Sequence, residues 1–271
     1  MNIANLIERW RAHAQRRLKS RTLAEYDRLI SRLILPALGE HQGERLTLEE
    51  VEKWHIGIPG AVQANRALAV LSAILGHAAQ RGLIPANPCR GSHRNRERNR
   101  ERFLTPAEST RLCQLLDSSI SPCTRLVHLL LLTGARPGEL LTARWEWVQG
   151  SVLRLPDAKT GARNIYLSPA ALRVMAAHPG EPAPQNGPIF PAGLDIRRAW
   201  ARIARAAGLE GVRLYDLRHT FASAALGAGV SLDVVGRLLG HRKAQTTLRY
   251  AHLAPDVALD AAARAAARMG A

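Results

Sequence analysis

The 271-residue chain is short of acidic residues, of aromatic residues and of cysteine. Its 22 Asp and Glu are outnumbered by 38 Lys and Arg, so the formal net charge is +16. An excess of this size predicts a polyanionic partner, most often a nucleic acid. A basic protein that its charge merely keeps in solution is the alternative that composition leaves open.

The few cysteines argue against a zinc-binding or disulfide-stabilised protein, and the lack of long apolar runs argues against a membrane or secreted protein. The three cysteines form no zinc-binding pair and no disulfide framework, and they indicate reduced thiols. No apolar run has the length of a transmembrane helix, and Glu8 and Arg9 interrupt the N-terminal segment where a signal peptide needs its apolar core. The sequence therefore predicts a soluble cytoplasmic protein without a membrane partner.

Aromatic residues amount to only 4%, while Ala and Leu are abundant, which favours a helix-rich fold. Residues 1–88 are predicted to form a domain of helices, because apolar residues recur at three- and four-residue spacing. Thr47 and Glu50 have the spacing of a capping box at the start of one helix. Since the helices begin almost at Met1, no additional domain is expected ahead of them.

An arginine-rich segment, residues 89–104, follows this domain. Alternating like charges without an apolar stripe cannot build a packed face, so the segment is predicted to be an exposed linker. A solvated tether and a strap that follows phosphates are both compatible with this pattern and do not exclude each other, and the basic character of both flanking regions favours the strap. The arginines at alternate positions are Arg94, Arg96, Arg98, Arg100 and Arg102.

A second domain is predicted over residues 105–271, starting with a capped helix at Thr105. Its helical periodicity is interrupted within residues 145–168, where SVLRLP and RNIYLS flank DAKTGA and predict a β-hairpin with its turn at Lys159–Gly161. An alanine-rich tail, residues 256–268, is predicted as a helix that needs a surface to pack on. The predicted fold class is therefore mainly α with a small β-hairpin or sheet.

Two motifs place arginines where an anion could bind. In TGARPGELL, Pro137 at the first helical position puts Arg136 at a helix N-terminus, and Glu139 one turn later could orient its guanidinium. In LYDLRHTFAS, Tyr215 and Arg218 are three residues apart and share a helical face, which suits bidentate contact with a phosphate. Taken alone, each motif is equally compatible with a structural role, as a capped helix or a salt bridge.

The remaining candidates are a lysine, two histidines and a tyrosine. Lys159 at the hairpin turn is either a solvated cation or a proton donor. In LLGHRKAQTTLRYAHL, His241 follows Gly240 at a predicted helix end, and Tyr250 comes nine residues later, either as a core residue or as a nucleophile. His219 points to another helical face than the neighbouring arginine and is interpreted as a packing histidine.

Together these groups would complete a site for phosphoryl transfer. The two arginines would neutralise the non-bridging oxygens, His241 would donate to one of them, Tyr250 would attack phosphorus and Lys159 would protonate the departing oxygen. Arginines would take the place of a metal, because the sequence has no carboxylate or Cys/His cluster suited to magnesium or zinc. It also has no Gly-x-x-x-x-Gly-Lys loop for ATP, so no cofactor is expected.

The order of these elements is more specific than any one of them. Arg-x-x-Glu, a hairpin lysine, x-Asp-Leu-Arg-His-Thr-Phe-Ala, Leu-Leu-Gly-His and Thr-x-x-Arg-Tyr-Ala-His closely resemble the tyrosine recombinase family of the phage integrase type. NRALAVLSAILGHAAQRGLIPANPC and ERFLTPAE extend the resemblance over nearly the whole chain. It implies a helical core-binding (SAM-like) domain followed by a mixed α+β catalytic domain. The implied enzyme is a site-specific DNA strand transferase that forms a 3′-phosphotyrosyl intermediate without metal or ATP.

The resemblance also implies a role for each matching residue. Arg136 and Arg218 correspond to the phosphate-binding arginines, Lys159 to the general acid, His241 to the second conserved histidine or tryptophan, Tyr250 to the nucleophile and Glu139 to a supporting acidic residue. Tyr215 departs from the pattern, because the family usually has histidine there. A tyrosine still offers its hydroxyl to a phosphate oxygen, but it is no proton acceptor near neutral pH. The linker arginines are expected to contact DNA together with Arg242 and Lys243.

The implied partners follow from the same family. Double-stranded DNA is the substrate, and four protomers are expected to assemble on two paired sites. The tail helix (256–268) is expected to contact a neighbouring protomer, and the family leaves room for an accessory DNA-bending protein. The chain is expected to be encoded by a bacterium or a phage and to act on DNA in the cytoplasm.

Other functions fit part of these observations. In ASAALGAGVSLDVVGRLLG, the residues Ala225, Gly229 and Val235 align with the small residue, the turn glycine and the buried β-branched residue of a helix-turn-helix, which would make the protein a sequence-specific DNA-binding regulator. A regulator has no need of the arginines, the hairpin lysine and Tyr250 together. A topoisomerase-like enzyme would share the chemistry without exchanging strands, and a prophage remnant with impaired activity would keep the motifs. The ordered set, the two domains and the tail favour a recombinase.

Overall fold

The computed structural model describes residues 1–97, 102–156, 161–177, 184–253, 263 and 265–270. The chain divides into two compact units, Met1–Asn99 and Arg100–Ala271. The predicted fold class is confirmed, because helices dominate both units and the described part of the chain contains one small sheet. No helix within the described ranges is both long and apolar enough to cross a membrane.

The first unit consists of helices packed around a continuous apolar core. A π-helical turn at Ile30–Ile34 joins its second and third helices. The predicted capping box is present, since Thr47 Oγ1 accepts from the Glu50 amide and the Glu50 carboxylate accepts from the Thr47 amide. The helices are α1 (Ile3–Ala14), α2 (Ser20–Leu29), α3 (Leu35–Leu38), α4 (Leu48–Ile56) and α5 (Ala61–Gln80).

Part of the arginine-rich segment is attached to this first unit. Asn65 of α5 donates through Nδ2 to the Asn95 carbonyl (2.9 Å) and to Glu97 Oε1 (2.8 Å), and its Oδ1 accepts from the Asn95 amide (2.9 Å). The buried His55 ring lies 3.1 Å from the same Oδ1. Asn65 therefore binds the segment at Asn95 and Glu97 to α5. The charge pattern did not predict these contacts.

The five arginines of the segment have different surroundings. Arg94 and Arg96 are exposed. Arg98 and Arg100 lie outside the described residues. Arg102 donates to both carboxylate oxygens of Glu108, at 2.9 and 2.5 Å. Its guanidinium is thus engaged with the helix start at which Glu108 closes a capping box with Thr105.

The second unit combines eight helices of the described residues with a three-stranded antiparallel sheet. The predicted hairpin is formed by the two longer strands, with Leu153 opposite Ile165 and both buried. The strands are β1 (Val148–Gln149), β2 (Val152–Leu155) and β3 (Arg163–Tyr166). The helices are α6 (Pro106–Asp117), α7 (Pro122–Thr133), α8 (Pro137–Leu141), α9 (Pro169–Ala176), α10 (Ile196–Ala206), α11 (Asp216–Gly227), α12 (Leu232–Leu239) and α13 (Ala244–Leu248).

Two apolar clusters hold this unit together. The larger one surrounds α7 and takes in α6, α9, α10 and the sheet. The smaller one lies between α11 and α12 and contains Leu226, Val235, Leu239 and Tyr250. The predicted tail helix, residues 256–268, falls mostly outside the described residues.

Candidate active site

Arg218 lies where the C-terminal ends of two helices meet. Its Nη1 donates to the carbonyl of Gly134, which caps α7, and its Nη2 donates to the carbonyl of Leu239, the last residue of α12, each at 2.6 Å. Helix C-terminal carbonyls carry only partial negative charge. They therefore orient the guanidinium, which is 2% exposed, without neutralising it as a carboxylate would.

Arg163, at the start of β3, is held in the same way. It donates through Nη1 to the Leu239 carbonyl (2.5 Å) and through Nη2 to the Leu238 carbonyl (3.2 Å). Its Nη1 also lies 3.3 Å from the Glu139 carboxylate. Sequence reasoning missed Arg163, because its position in RNIYLS gives no sign that it reaches the end of α12.

Arg136 occupies the N-cap position of α8, as Pro137 predicts. Its Nη1 donates to Glu139 Oε1 at 2.7 Å, and its backbone amide donates to Oε2 at 2.9 Å. Glu139 is 7% exposed and lies between the guanidinium groups of Arg136 and Arg163. Its carboxylate therefore aligns two arginines at once.

These contacts leave an excess of positive charge in the described part of the site. Burial, and after it the charge of Arg136, lowers the pKa of Arg218 to about 10. Burial also lowers the pKa of Arg163, which the Glu139 carboxylate counteracts. Both side chains stay charged at neutral pH. The Nε atoms of Arg163 and Arg218 are buried and have no hydrogen-bond partner among the described residues, so the protein does not use all the donors of these two guanidinium groups.

His241 follows Gly240, the left-handed C-cap of α12. Its Nδ1 lies 2.8 Å from Thr247 Oγ1 in α13. Burial, followed by the charges of Arg218 and Arg136, lowers the pKa of the His241 imidazole to about 4. The ring is therefore neutral at neutral pH, and Thr247 fixes its orientation through Nδ1, while the other ring nitrogen has no hydrogen bond to the described residues.

Tyr250 is 4% exposed and belongs to the apolar cluster of α11 and α12. Its ring is parallel to that of His241, with an interplanar angle of 2° and centroids 6.4 Å apart. Burial raises the pKa of the phenol, an effect that the charge of Arg218 opposes. Tyr250 is thus both a packed core residue and a neighbour of the cationic site.

The interpretation of His219 as a packing histidine did not anticipate its contact with Tyr250. Its Nδ1 lies 2.8 Å from the Tyr250 hydroxyl, and the two ring centroids are 5.5 Å apart. The two residues are 31 positions apart in the sequence, and their contact depends on how the segment after α12 folds back over α11. No local pattern could have indicated it.

The other predicted residues lie at the edge of the site or outside the described residues. Tyr215 is 44% exposed, and its ring meets His219 edge-on at 5.5 Å. Lys159 lies outside the described residues. Arg242 and Lys243 are exposed, and Arg242 lies so close to Gly161 that a Cβ there would be 2.3 Å from its Nη2. Arg242 therefore contacts the chain at Gly161, just before β3.

Gly240 is required by two features of the site. Its φ is +66°, and an added Cβ would lie 2.5 Å from Arg163 Nη1. We expect Gly240→Ala to lower the free energy of unfolding by about 1–2 kcal/mol from the left-handed backbone alone, with a further loss from displacement of Arg163. Urea unfolding followed by circular dichroism measures the change.

Gly227→Ala is the matched control for this substitution. Gly227 ends α11 without a positive φ, and no atom lies within 4 Å of an added Cβ. Its replacement should change the free energy of unfolding by less than about 1 kcal/mol. Equal losses in the two variants would contradict the role given to Gly240.

Comparisons with known proteins agree with this arrangement. The model of the Phage integrase family matches residues 102–256. The putative prophage phiRv2 integrase of Mycobacterium tuberculosis is 27% identical over 274 residues, spanning 89% of this chain and 72% of that protein. A dimer of residues 75–356 of lambda integrase bound to a COC′ core site matches with a TM-score of 0.78 at 22% identity, covering 91% of this chain and 97% of its own. A lambda integrase tetramer bound to a Holliday junction matches with a TM-score of 0.74 at 20% identity, covering 90% and 78%.

Proposed function

The chain belongs to the phage integrase family of tyrosine recombinases, and we propose that it cuts and rejoins double-stranded DNA at specific sites through Tyr250. The observation that carries this proposal is the position of a buried tyrosine beside His241, whose pKa is lowered by burial and then by the charges of Arg218 and Arg136. A nucleophile near oriented guanidinium groups that outnumber the one carboxylate among them, Glu139, suits attack on a phosphodiester.

The scissile phosphate binds against the guanidinium groups of Arg136 and Arg218. Each guanidinium offers donors to a non-bridging oxygen, and the neutral His241 donates to one of the same oxygens. The attraction between these guanidinium groups and the phosphate becomes stronger as negative charge accumulates on the oxygens of the phosphorane-like transition state. Tyr215 offers its exposed hydroxyl to the phosphate at the position where the family usually has histidine.

The reaction exchanges one phosphodiester for another. The Tyr250 oxygen forms a bond to phosphorus, and the bond from phosphorus to the 5′ oxygen breaks. Lys159 gives that oxygen its proton. A 5′ hydroxyl, from the same or a partner strand, then attacks the phosphotyrosine, and the bond between phosphorus and the Tyr250 oxygen breaks as the phosphodiester is restored. The energy of the bond is kept, so the reaction needs neither metal nor ATP.

Several elements would act on the DNA besides the site. Residues 1–88 form the core-binding domain, residues 89–104 a basic linker and residues 105–271 the catalytic domain. The exposed Arg94, Arg96, Arg242 and Lys243 contact phosphates. Assembly as a tetramer on paired sites is supported by the lambda integrase tetramer on a Holliday junction, and the tail helix is proposed to contact the neighbouring protomer.

The regulator hypothesis is not favoured. α11 and α12 are joined by a turn at Gly229, which has a φ of +79°, as a helix-turn-helix would require. However, α11 directs Arg218 to the ends of α7 and α12, and α12 ends at the two carbonyls that hold the arginines. The pair of helices therefore builds the candidate site.

A covalent trapping experiment tests the proposed function. Purified protein is incubated with nicked fragments of its source DNA in the presence of a chelator, and denaturing gels are searched for a protein–DNA adduct. We expect an adduct in which Tyr250 is linked to a 3′ phosphate, identified by peptide mass spectrometry, at one or a few sequence positions. Specific DNA binding without any adduct would overturn the proposal.

A further inference from the structure

Attack by Tyr250 requires a group that takes the phenolic proton. Burial raises the pKa of Tyr250, so the hydroxyl is protonated at neutral pH. Tyr215, where the family usually has histidine, offers a phenol hydroxyl and no ring nitrogen that could take up that proton. Nδ1 of His241 is already within hydrogen-bond distance of Thr247 Oγ1. The assigned residues therefore leave this proton without a destination.

His219 lies in contact with the reacting atom. Its Nδ1 is 2.8 Å from the Tyr250 hydroxyl oxygen, within the reach that a general base needs. The Tyr215 ring meets the imidazole edge-on at 5.5 Å. His219 is thus held between the tyrosine that occupies the usual histidine position and the nucleophile itself.

We infer that His219 is a catalytic residue, the general base that accepts the proton of the Tyr250 hydroxyl as this oxygen attacks phosphorus. In the resting site the hydroxyl donates to Nδ1 of the neutral imidazole, whose other nitrogen bears the hydrogen. During cleavage the O–H bond breaks, the proton moves to Nδ1, and the oxygen forms its bond to phosphorus. During rejoining the imidazolium returns this proton to the departing tyrosyl oxygen, so His219 ends each cycle neutral. The inference rests on the proposed function.

The surroundings of His219 keep it ready to accept a proton. The charged groups that act on it are Asp216 and Arg218 from its own helix and Arg249 from the segment that bears Tyr250. Burial is the largest effect and lowers the pKa of the imidazole; Asp216 raises it, while Arg249 and Arg218 lower it. The ring is therefore neutral at neutral pH and binds its proton only as the phenol releases one.

The test compares His219→Asn and His219→Ala with the wild-type chain in single-turnover cleavage of a nicked substrate. Asparagine keeps a polar group beside Tyr250 but cannot act as a base. We expect both variants to form adduct about 10²–10⁴-fold more slowly at pH 7. The wild-type rate should level off once the pH rises above the pKa of His219, which burial lowers from its ordinary value. The rates of the variants should keep rising with pH as the phenol itself ionises. His41→Asn, an exposed histidine of the first unit, is the matched control and should cleave at the wild-type rate.

A second substrate separates base from acid catalysis. When sulfur replaces the 5′ bridging oxygen, the leaving group needs no proton, so Lys159→Ala should recover most of its activity while His219→Asn stays slow. Recovery of His219→Asn on this substrate would overturn the inference, because His219 would then act on the leaving group. Cleavage by either His219 variant at or above the wild-type rate would also overturn it. An adduct formed by the wild-type chain keeps the proposed function intact in both cases, and urea unfolding verifies that the variants are folded.

Discussion

Tyr250→Phe should abolish the covalent protein–DNA adduct while DNA binding stays within a few-fold of the wild-type value. The substitution removes one oxygen atom and leaves the ring in the cluster that contains Leu226, Val235 and Leu239. The lost hydrogen bond to His219 should cost about 1 kcal/mol of folding free energy. Because no other group can form the phosphotyrosine, adduct formation should fall by more than about 10⁴-fold, as measured on denaturing gels at saturating protein.

Tyr26→Phe serves as the control for this experiment. Tyr26 stacks on Trp10 in the first unit, with ring centroids 6.0 Å apart, and its hydroxyl has no place in the proposed chemistry. It should form adduct at the wild-type rate. An adduct that survives in Tyr250→Phe would show that the nucleophile lies elsewhere, and the roles proposed for His219 and Tyr250 would fall together.

Arg218→Lys should slow cleavage by about 10²–10³-fold, the usual effect of removing one oriented donor from a transition-state anion. The guanidinium binds two helix-end carbonyls, those of Gly134 and Leu239, and still has donors for a phosphate. An ammonium has a single centre and cannot reach both carbonyls and a phosphate oxygen. The free energy of unfolding should also fall by about 1–3 kcal/mol, because a buried carbonyl loses its donor.

Two measurements separate these effects. Cleavage is followed under conditions in which urea unfolding shows the variant to be fully folded, so that the loss of rate reports on the site. Arg205→Lys, on the exposed side of α10, is the matched control and should change neither quantity. If Arg218→Lys cleaved at the wild-type rate, Arg218 would be a helix cap without a role in transition-state stabilisation.

Local features of the structure were predictable from sequence because they depend on neighbouring residues. The capping boxes at Thr47 and Thr105 involve side chains three residues apart. Pro137 placed Arg136 at a helix start by the same logic. The hairpin followed from alternating apolar residues on both sides of a turn. In each case the residues that determine the structure are close to one another in the sequence.

Contacts between distant segments could not be predicted in this way. Arg163 reaches carbonyls 75 and 76 positions later in the chain. His219 meets Tyr250 across 31 residues, and Asn65 fastens Asn95 across 30. Helical periodicity placed His219 on a different face from its neighbour Arg218, which was correct reasoning. It could not reveal that Tyr250 returns to that other face.

The contact of Tyr250 with His219 of the same chain bears on which subunit of an assembly supplies the nucleophile for each cleavage. The tyrosine, the histidines beside it and the oriented arginines all belong to one catalytic unit. On the proposed function, no subunit on a junction would lend its tyrosine nucleophile to a neighbour. The choice of which two strands are cut at a time would then have to come from the geometry of the bound DNA or from contacts between subunits, since every member would carry its own nucleophile beside its own arginines.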